Sequence, residues 1–404
     1  MMQKLHRNLV VAVIAGLKDI LLDKKQADST VEQILTSNKT WGARDRHFIA
    51  DNIYHIVRYK RLYEFCSDEE AWGEGAIWRI FATKWLTDGH ELPEWEEFAT
   101  LNKEAILKQF ESAQSIPKIR ESVPDWLDVL GLKELGKDWE KEITALNTPA
   151  KFCLRINTLK ANKAVITKQL TDEGVEFAES EIAPDALIIL SKKNFRSHPA
   201  YKNGLFEVQD IASQLVAPML QVASGMKVID GCAGAGGKAL HLAALMKNQG
   251  EILAVDTHEK KLEELTRRAN RAGCFIIQTL DASKLTHNYQ ARLQSFADRI
   301  LLDVPCSGTG VLRRKPDAKW SLTEKFINEL KNAQSQILDE YSPMLKPGGL
   351  LVYSTCSIFP SENQKQIQAF IKRSSISFEL EEEKVISPAE TGFDGFYIAR
   401  LKRI

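Results

Sequence analysis

From Gly204 onward, short apolar segments alternate with helical runs, and this rhythm constrains the fold more than any other feature of the chain. "MKVID", "GEILAVD", "CFIIQ", "DRILLD" and "GLLVYS" read as buried strands. Between them, "EKKLEELTRRANRAG" and "SLTEKFINELKNAQSQILDEYSPML" read as helices. Such alternation builds an α/β doubly wound parallel sheet covered by helices on both faces. "GFYIARLKRI" is expected to close it as an edge strand. In open sheets of this kind, ligands bind outside the carboxyl ends of the strands. The residues just past each strand are therefore the candidates for chemistry.

At 404 residues the chain exceeds one ordinary core, so further domains are expected. Residues 1–145 read as α-helical: Ile49, Ile53, Ile56 and Val57 recur at helical spacing and form one core-facing stripe. Seven of the eight Trp precede residue 140, and packing in a small helical bundle accounts for them better than a platform for bases. The acidic stretch "SDEEAWGEGA" is expected to be a solvated face or loop. Residues 146–203 change character, with a strand at Cys153–Ile156, a helix from Lys163 to Leu170 and strands near Val175 and Ile188. That order suits a small α/β domain. At its end Lys192, Lys193, Arg196 and Lys202 cluster, either as phosphate contacts or as solvated surface. Residues 204–404 form the third, alternating region.

Charge and cysteine usage narrow the class. Lys plus Arg (54) balance Asp plus Glu (54), which argues against a protein that coats nucleic acid non-specifically but leaves local basic patches open. The six cysteines are scattered without paired spacing, so neither a disulfide framework nor a zinc site is expected, and no metal. "MMQKLHRNLVVAVIAGLKDILLDKK" resembles a signal peptide at first sight, yet Lys18 and Asp19 interrupt its apolar run and Ile20 resumes it at helical spacing. An amphipathic helix fits better, and a cytoplasmic location is expected.

After "MKVID", the stretch "GCAGAGGKAL" opens a helix, and its glycines let backbone approach a ligand. Free N–H groups at a helix start suit an anionic group. Asp256, nineteen residues past Gly237, ends the next strand and can accept from two ribose hydroxyls. Asp281 follows the third strand, placed to take an adenine amino group. Taken alone, the loop serves a dinucleotide as readily as S-adenosylmethionine. It lacks the strict G-x-G-x-x-G spacing, and Ala239 after Lys238 excludes a Walker P-loop. Acids at three successive strand ends, Asp230, Asp256 and Asp281, favour a methyl donor over simple helix capping.

Two further strands, "RILLD" and "LLVYS", end on the same edge and run into "VPCSGTG" and "TCSIFP". Asp303, Pro305, Cys306, Thr355 and Cys356 are expected to face the cofactor pocket, with Gly308 and Gly310 leaving room for a flat ligand. A thiolate beside a methyl donor has a well-motivated use. Addition of sulfur to C6 of cytosine makes the weakly nucleophilic C5 able to attack a methylsulfonium. A carboxyl group at the N3 edge, here Asp303, answers the charge that builds on the ring. A second thiol can assist the elimination that follows. A base within a duplex cannot reach such a pocket, so the target must be single-stranded or flipped. Spacing alone leaves open which of Cys306 and Cys356 attacks.

"DGCAGAGGK", "AVD", "LLDVPCSGTG" with "RRKPDAKW", "KPGGLLVYSTCSIFPSEN" and "DGFYIARLKR" together resemble the RNA 5-methylcytosine methyltransferases of the Sun/Fmu and NSUN type, from about Cys153 to Ile404. "ARDRHFIADNIYHIVRYKRL" is similar, more loosely, to the NusB-like helical domain that precedes the bacterial members. The resemblance implies a multidomain chain: a NusB-like α-helical domain, a small RNA-binding (RRM- or ferredoxin-like) α/β domain, and a Rossmann-like class I methyltransferase domain. It implies Cys356 as the nucleophile, Cys306 as the thiol that assists product release, and Asp303 as a contact to the cytosine. The cofactor site would comprise Cys232, Ala233, Gly234, Ala235, Gly236, Gly237, Lys238, Asp256, Asp281 and Asp303, holding S-adenosylmethionine. Arg313, Arg314, Lys315 and Lys319 would contact RNA, with ribosomal RNA favoured and transfer RNA open. One departure stands out: Gly234–Ala235 replaces the family's usual Ala-Pro, which is expected to loosen the loop and lower cofactor affinity. An RNA-binding ribosome-assembly factor with secondary methylation is the alternative that the basic cluster and appended domains allow.

Overall fold

The computed structural model describes residues 5–68, 73–191 and 195–404. Lys192, Lys193, the side chain of Arg196 and Glu69–Trp72 of the acidic stretch lie outside the described residues. The chain forms two compact units: residues up to Thr148 together with Leu312–Glu324, and Pro149–Val311 together with Lys325–Ile404.

The first unit is helical. Its core gathers the Ile49, Ile53, Ile56 and Val57 stripe of helix Ala43–Arg58, all four fully buried, against Val10, Val13 and Leu17 of helix Arg7–Leu21. Truncation of one such isoleucine to alanine costs roughly 2–5 kcal/mol. Trp85 and Trp139 are buried, and Trp78, Trp95 and Phe98 meet edge to face or stacked, so these tryptophans serve packing. A segment expected with the catalytic region also belongs here. Within Leu312–Glu324, the Arg313 guanidinium donates to Ala145 O (2.9 Å), its carbonyl accepts from Arg58 (2.8 Å), and the Trp320 indole donates to Val57 O (2.7 Å).

The second unit holds two sheets. The smaller contains β1 (Phe152–Ile156), β2 (Phe177–Glu179), β3 (Ala186–Ile189) and β4 (Phe206–Val208) in the order β2-β3-β1-β4, all antiparallel. Helix Lys163–Asp172 bridges β1 and β2 and buries Ile166 and Leu170 beneath the sheet. β4 lies past residue 203, so this domain runs further than the sequence pattern shows: three residues are too few for a periodic signal.

The larger sheet adds β5 (Lys227–Asp230), β6 (Glu251–Asp256), β7 (Ile277–Asp281), β8 (Ala297–Asp303), β9 (Leu345–Thr355), β10 (Phe378–Ile386) and β11 (Phe396–Arg403). Their order is β10-β11-β9-β8-β5-β6-β7. β5 to β9 pair in parallel, whereas β11 is antiparallel to β9 and β10 to β11. The closing segment is therefore not the edge strand. "FELEEEKVI" takes that place, and its mostly exposed acidic side chains suit an edge that must resist further pairing. The amphipathic helix Glu259–Ala272 buries Leu262, Leu265, Ala269 and Ala272 and ends at Gly273 with φ +72. Strand order reverses between β5 and β8, which opens a crevice at their carboxyl ends.

The two sheets are joined by buried polar contacts. Arg155 of β1 donates to Gly237 O (2.7 Å), at the start of the helix that follows the glycine loop. Asn157 donates to Ala272 O (2.8 Å), and Glu207 takes both Arg268 (2.9 Å) and Arg271 (2.5 Å).

Candidate active site

A cavity of about 360 Å³ opens at the switch point. Gly231, Cys232, Gly234, Asp256, Ala282, Asp303 and Pro305 line it along the sheet edge, and Ile337, Glu340 and Tyr341 form the facing wall. The glycine loop folds tightly over β5. Ala233 N donates to Val255 O (2.9 Å), Gly236 N to Ala233 O (2.9 Å) and Gly234 N to the Asp256 carboxylate (2.8 Å). Arg268 fixes the Ala235 carbonyl from the adjacent helix (2.7 Å). The Gly234–Ala235 departure therefore leaves the loop tied, not loose. Gly236 is required twice over: its φ is +85, and a Cβ there would lie 2.5 Å from Leu265.

Asp256 receives Gly234 N and His258 N (2.9 Å) while lining the cavity, so it couples the loop to any hydroxyl it accepts from. Asp281 turns back on its own chain instead. It accepts from Ser283 N (2.8 Å); hydrogen bonds from the Ser283 side chain and then its backbone hold the Asp281 carboxyl below the usual range, and its neighbour Ala282 lines the cavity. Asp230 lies beneath the loop, 1% exposed, and burial followed by the charge of Asp303 pushes its carboxyl up to about 7 against the opposing Lys238. Burial likewise pushes the Cys232 thiol far up, as it does Cys274 to about 11 and Cys66 to about 12. Those thiols are inert at neutral pH.

Cys306 and Cys356 differ, because the fold sets them side by side. β8 and β9 run parallel with Asp303 beside Ser354, so the residues after each strand leave the sheet side by side. Asp303 is clamped by Lys238 Nζ (2.6 Å) and the Ser354 hydroxyl (2.7 Å). Three residues on, Cys306 Sγ lies 3.3 Å from Cys356 Sγ and accepts the Cys356 backbone N–H at 3.3 Å. The hydrogen bond to Cys356, then burial and the charges of Cys356 and Glu362, push the Cys306 thiol well above the ordinary range. Cys306 thus keeps its proton at neutral pH.

Several expectations need correction. Thr355 does not face the pocket; its hydroxyl is buried and donates to Asn363 (2.5 Å). Gly310 does not leave room for a ligand. It lets the Gly395 and Cys356 carbonyls approach, which lie 2.2 and 2.8 Å from where its Cβ would be. Of the basic cluster, Arg313 and Lys319 are buried, at 3% and 1% exposure, because both meet backbone carbonyls inside the helical unit. Burial lowers Lys319 to about 7. Of the other two, Lys315 is exposed and Arg314 half-buried. The sequence reading also missed Ser307, Ser357, Glu362 and Gln334, which surround the thiol loops. A serine directly after each cysteine was the signal.

A tied glycine loop, an acid at the next strand end and a cavity at the switch point define a class I methyltransferase, and the donor set fits S-adenosylmethionine: backbone amides for its carboxylate and Asp256 for its ribose. Residues 217–402 match the family described as 16S rRNA methyltransferase RsmB/F, and residues 123–196 match its ferredoxin-like domain. A probable ribosomal RNA small subunit methyltransferase B of Bacillus subtilis is 37% identical over 70% of this chain and 65% of its own. The ribosomal RNA small subunit methyltransferase B of Pseudomonas syringae pv. tomato is 32% identical over 74% of this chain and 69% of its own. The chain belongs to this family, and it spans 65% of the length of the Bacillus relative, just under two-thirds. Among solved structures, PH0851 is similar with TM-score 0.83 and 25% identity over 99% of this chain and 100% of that one. A methyltransferase homolog from Pyrococcus horikoshii gives 0.63 and 27% over 71% and 98%. Among the described residues, no helix is long and apolar enough to cross a membrane.

Proposed function

We propose that the chain is an S-adenosylmethionine-dependent RNA cytosine-C5 methyltransferase that acts on ribosomal RNA in the cytoplasm. The observation that carries this reading is the pair of sulfurs 3.3 Å apart beside a clamped carboxylate, on the edge of the sheet that also carries the cofactor loop. The cofactor, when bound, supplies an electrophilic methyl group. Residues 232–238 and Asp256 would hold it, with Asp303 beside them on the cavity wall.

Cys356 adds to C6 of a flipped cytosine. Cys306, which retains its proton, lies 3.3 Å from the Cys356 sulfur, close enough to donate a hydrogen bond to it during the reaction. Asp303, fixed by Lys238 and Ser354, meets the cytosine at its N3 edge and orients the ring as sulfur adds. After methyl transfer, a solvent water takes the C5 proton as the S–C6 bond breaks, and the same Cys306 S–H stabilises the departing thiolate. Arg314 and Lys315 contact the RNA backbone. Bisulfite sequencing of total RNA from cells with and without the gene tests the reading. One protected cytosine in small-subunit ribosomal RNA should lose protection on deletion; unchanged protection at every cytosine contradicts it.

A further inference from the structure

We propose that Glu362 is the positioning residue of the thiol pair, a buried carboxylate that ties the Cys306 loop to the Cys356 loop and thereby sets the distance between the two sulfurs. The inference rests on the covalent reading above. Glu362 is fully buried. One oxygen accepts from Ser307 N (2.8 Å) and the Gln334 amide (3.0 Å). The other accepts from the hydroxyls of Ser307 and Ser357, each at 2.5 Å. Ser307 directly follows Cys306, and Ser357 directly follows Cys356. A single side chain thus grips the residue next to each thiol.

The grip is itself anchored. Tyr353 of β9 donates to the Glu362 carbonyl (2.7 Å), and Gln334 also holds Pro305 O (3.0 Å). Thr309 lies 3.1 Å from both serine hydroxyls and closes the cluster. Asn363 accepts from Thr355 and donates to Ser357 O (2.9 Å), which fixes the second loop from its other side. Burying a carboxylate is costly unless its lone pairs are satisfied, and apolar packing would serve stability equally well. Glu362 lies outside the residues that line the cofactor cavity. What four donors on one carboxylate add is geometry: two loops cannot drift apart without breaking charge-assisted hydrogen bonds.

Diamide applied to the full-length protein measures the spacing directly. It takes two hydrogens from a close pair of thiols, forming one disulfide as its N=N bond is reduced, and peptide mass spectrometry reads the Cys306–Cys356 linkage. Glu362→Ala should slow that linkage about tenfold and lower kcat by about 10²-fold, with KM for S-adenosylmethionine within about twofold. Glu362→Gln should recover much of both, because the two serine hydroxyls can rotate to accept from its amide. Ser307→Ala and Ser357→Ala each remove one arm at little change in volume, and should show the same signature in weaker form even where Glu362→Ala does not fold. Linkage at the wild-type rate in both serine variants would overturn the proposal. The disulfide readout needs no RNA, so its failure is distinct from a failure of the methylation reading, which would show as an inactive wild type with intact linkage.

Discussion

Two buried carboxylates lie under the same edge of the sheet and are treated in opposite ways. Glu362, beneath the thiol loops, has both oxygens filled by four donors. Asp230, beneath the glycine loop, accepts no well-formed hydrogen bond among the described residues and is helped only by the Cys232 backbone N–H and the charge of Lys238. The difference follows from what each loop must do. A cofactor loop presents backbone amides, so its shape resides in φ angles and chain-to-chain hydrogen bonds. The thiol loops must hold two side chains at a fixed separation, and only a side-chain network can set that.

If this contrast holds, the largest effect comes from the attacking sulfur: Cys356→Ala should abolish methyl incorporation, measured with labelled cofactor, without moving the melting temperature. Next, Asp256→Ala removes both the partner of Gly234 N and the acceptor in the cavity, and cofactor Kd by calorimetry should rise about 10–100-fold. Backbone shape is tested by paired glycine variants. Gly236→Ala meets Leu265 at 2.5 Å as well as adopting φ +85 and should cost about 3 kcal/mol in denaturant unfolding. Gly234→Ala has φ +54 with nothing within 4 Å of its Cβ, and should cost about 1 kcal/mol.

A pH series sharpens the carboxylate comparison further. Because the Asp230 carboxyl is raised to about 7 in the folded chain, the native state holds a proton there that the unfolded state releases near its usual carboxylate pKa. Its contribution is complete in acid and is lost as pH rises through about 7. Asp230→Asn should therefore leave stability unchanged near pH 4 and raise it at pH 8. A uniform loss at both pH values would mean that the charge of Asp230 is used in the native state.

The strands, the glycine loop and both cysteines were legible because each is a local pattern: β-rich runs, glycine spacing, a thiol just past a strand. What was not legible depended on partners remote in sequence. β10 reads as acidic surface, and only its pairing with β11 makes it the edge strand. Arg313 and Lys319 look like a phosphate patch until the carbonyls of Ala145 and Glu121 claim them. Glu362 sits in "PSEN" among polar residues that carry no local pattern, and its burial arises only when two strand ends meet.

The most direct measurement is covalent trapping. Cys306→Ala, incubated with substrate RNA and S-adenosylmethionine, should accumulate a protein–RNA adduct on denaturing gels, with the RNA mapped by mass spectrometry to Cys356. An adduct that forms through Cys306 in the Cys356→Ala variant, or no adduct in either, would contradict the assignment of the two thiols.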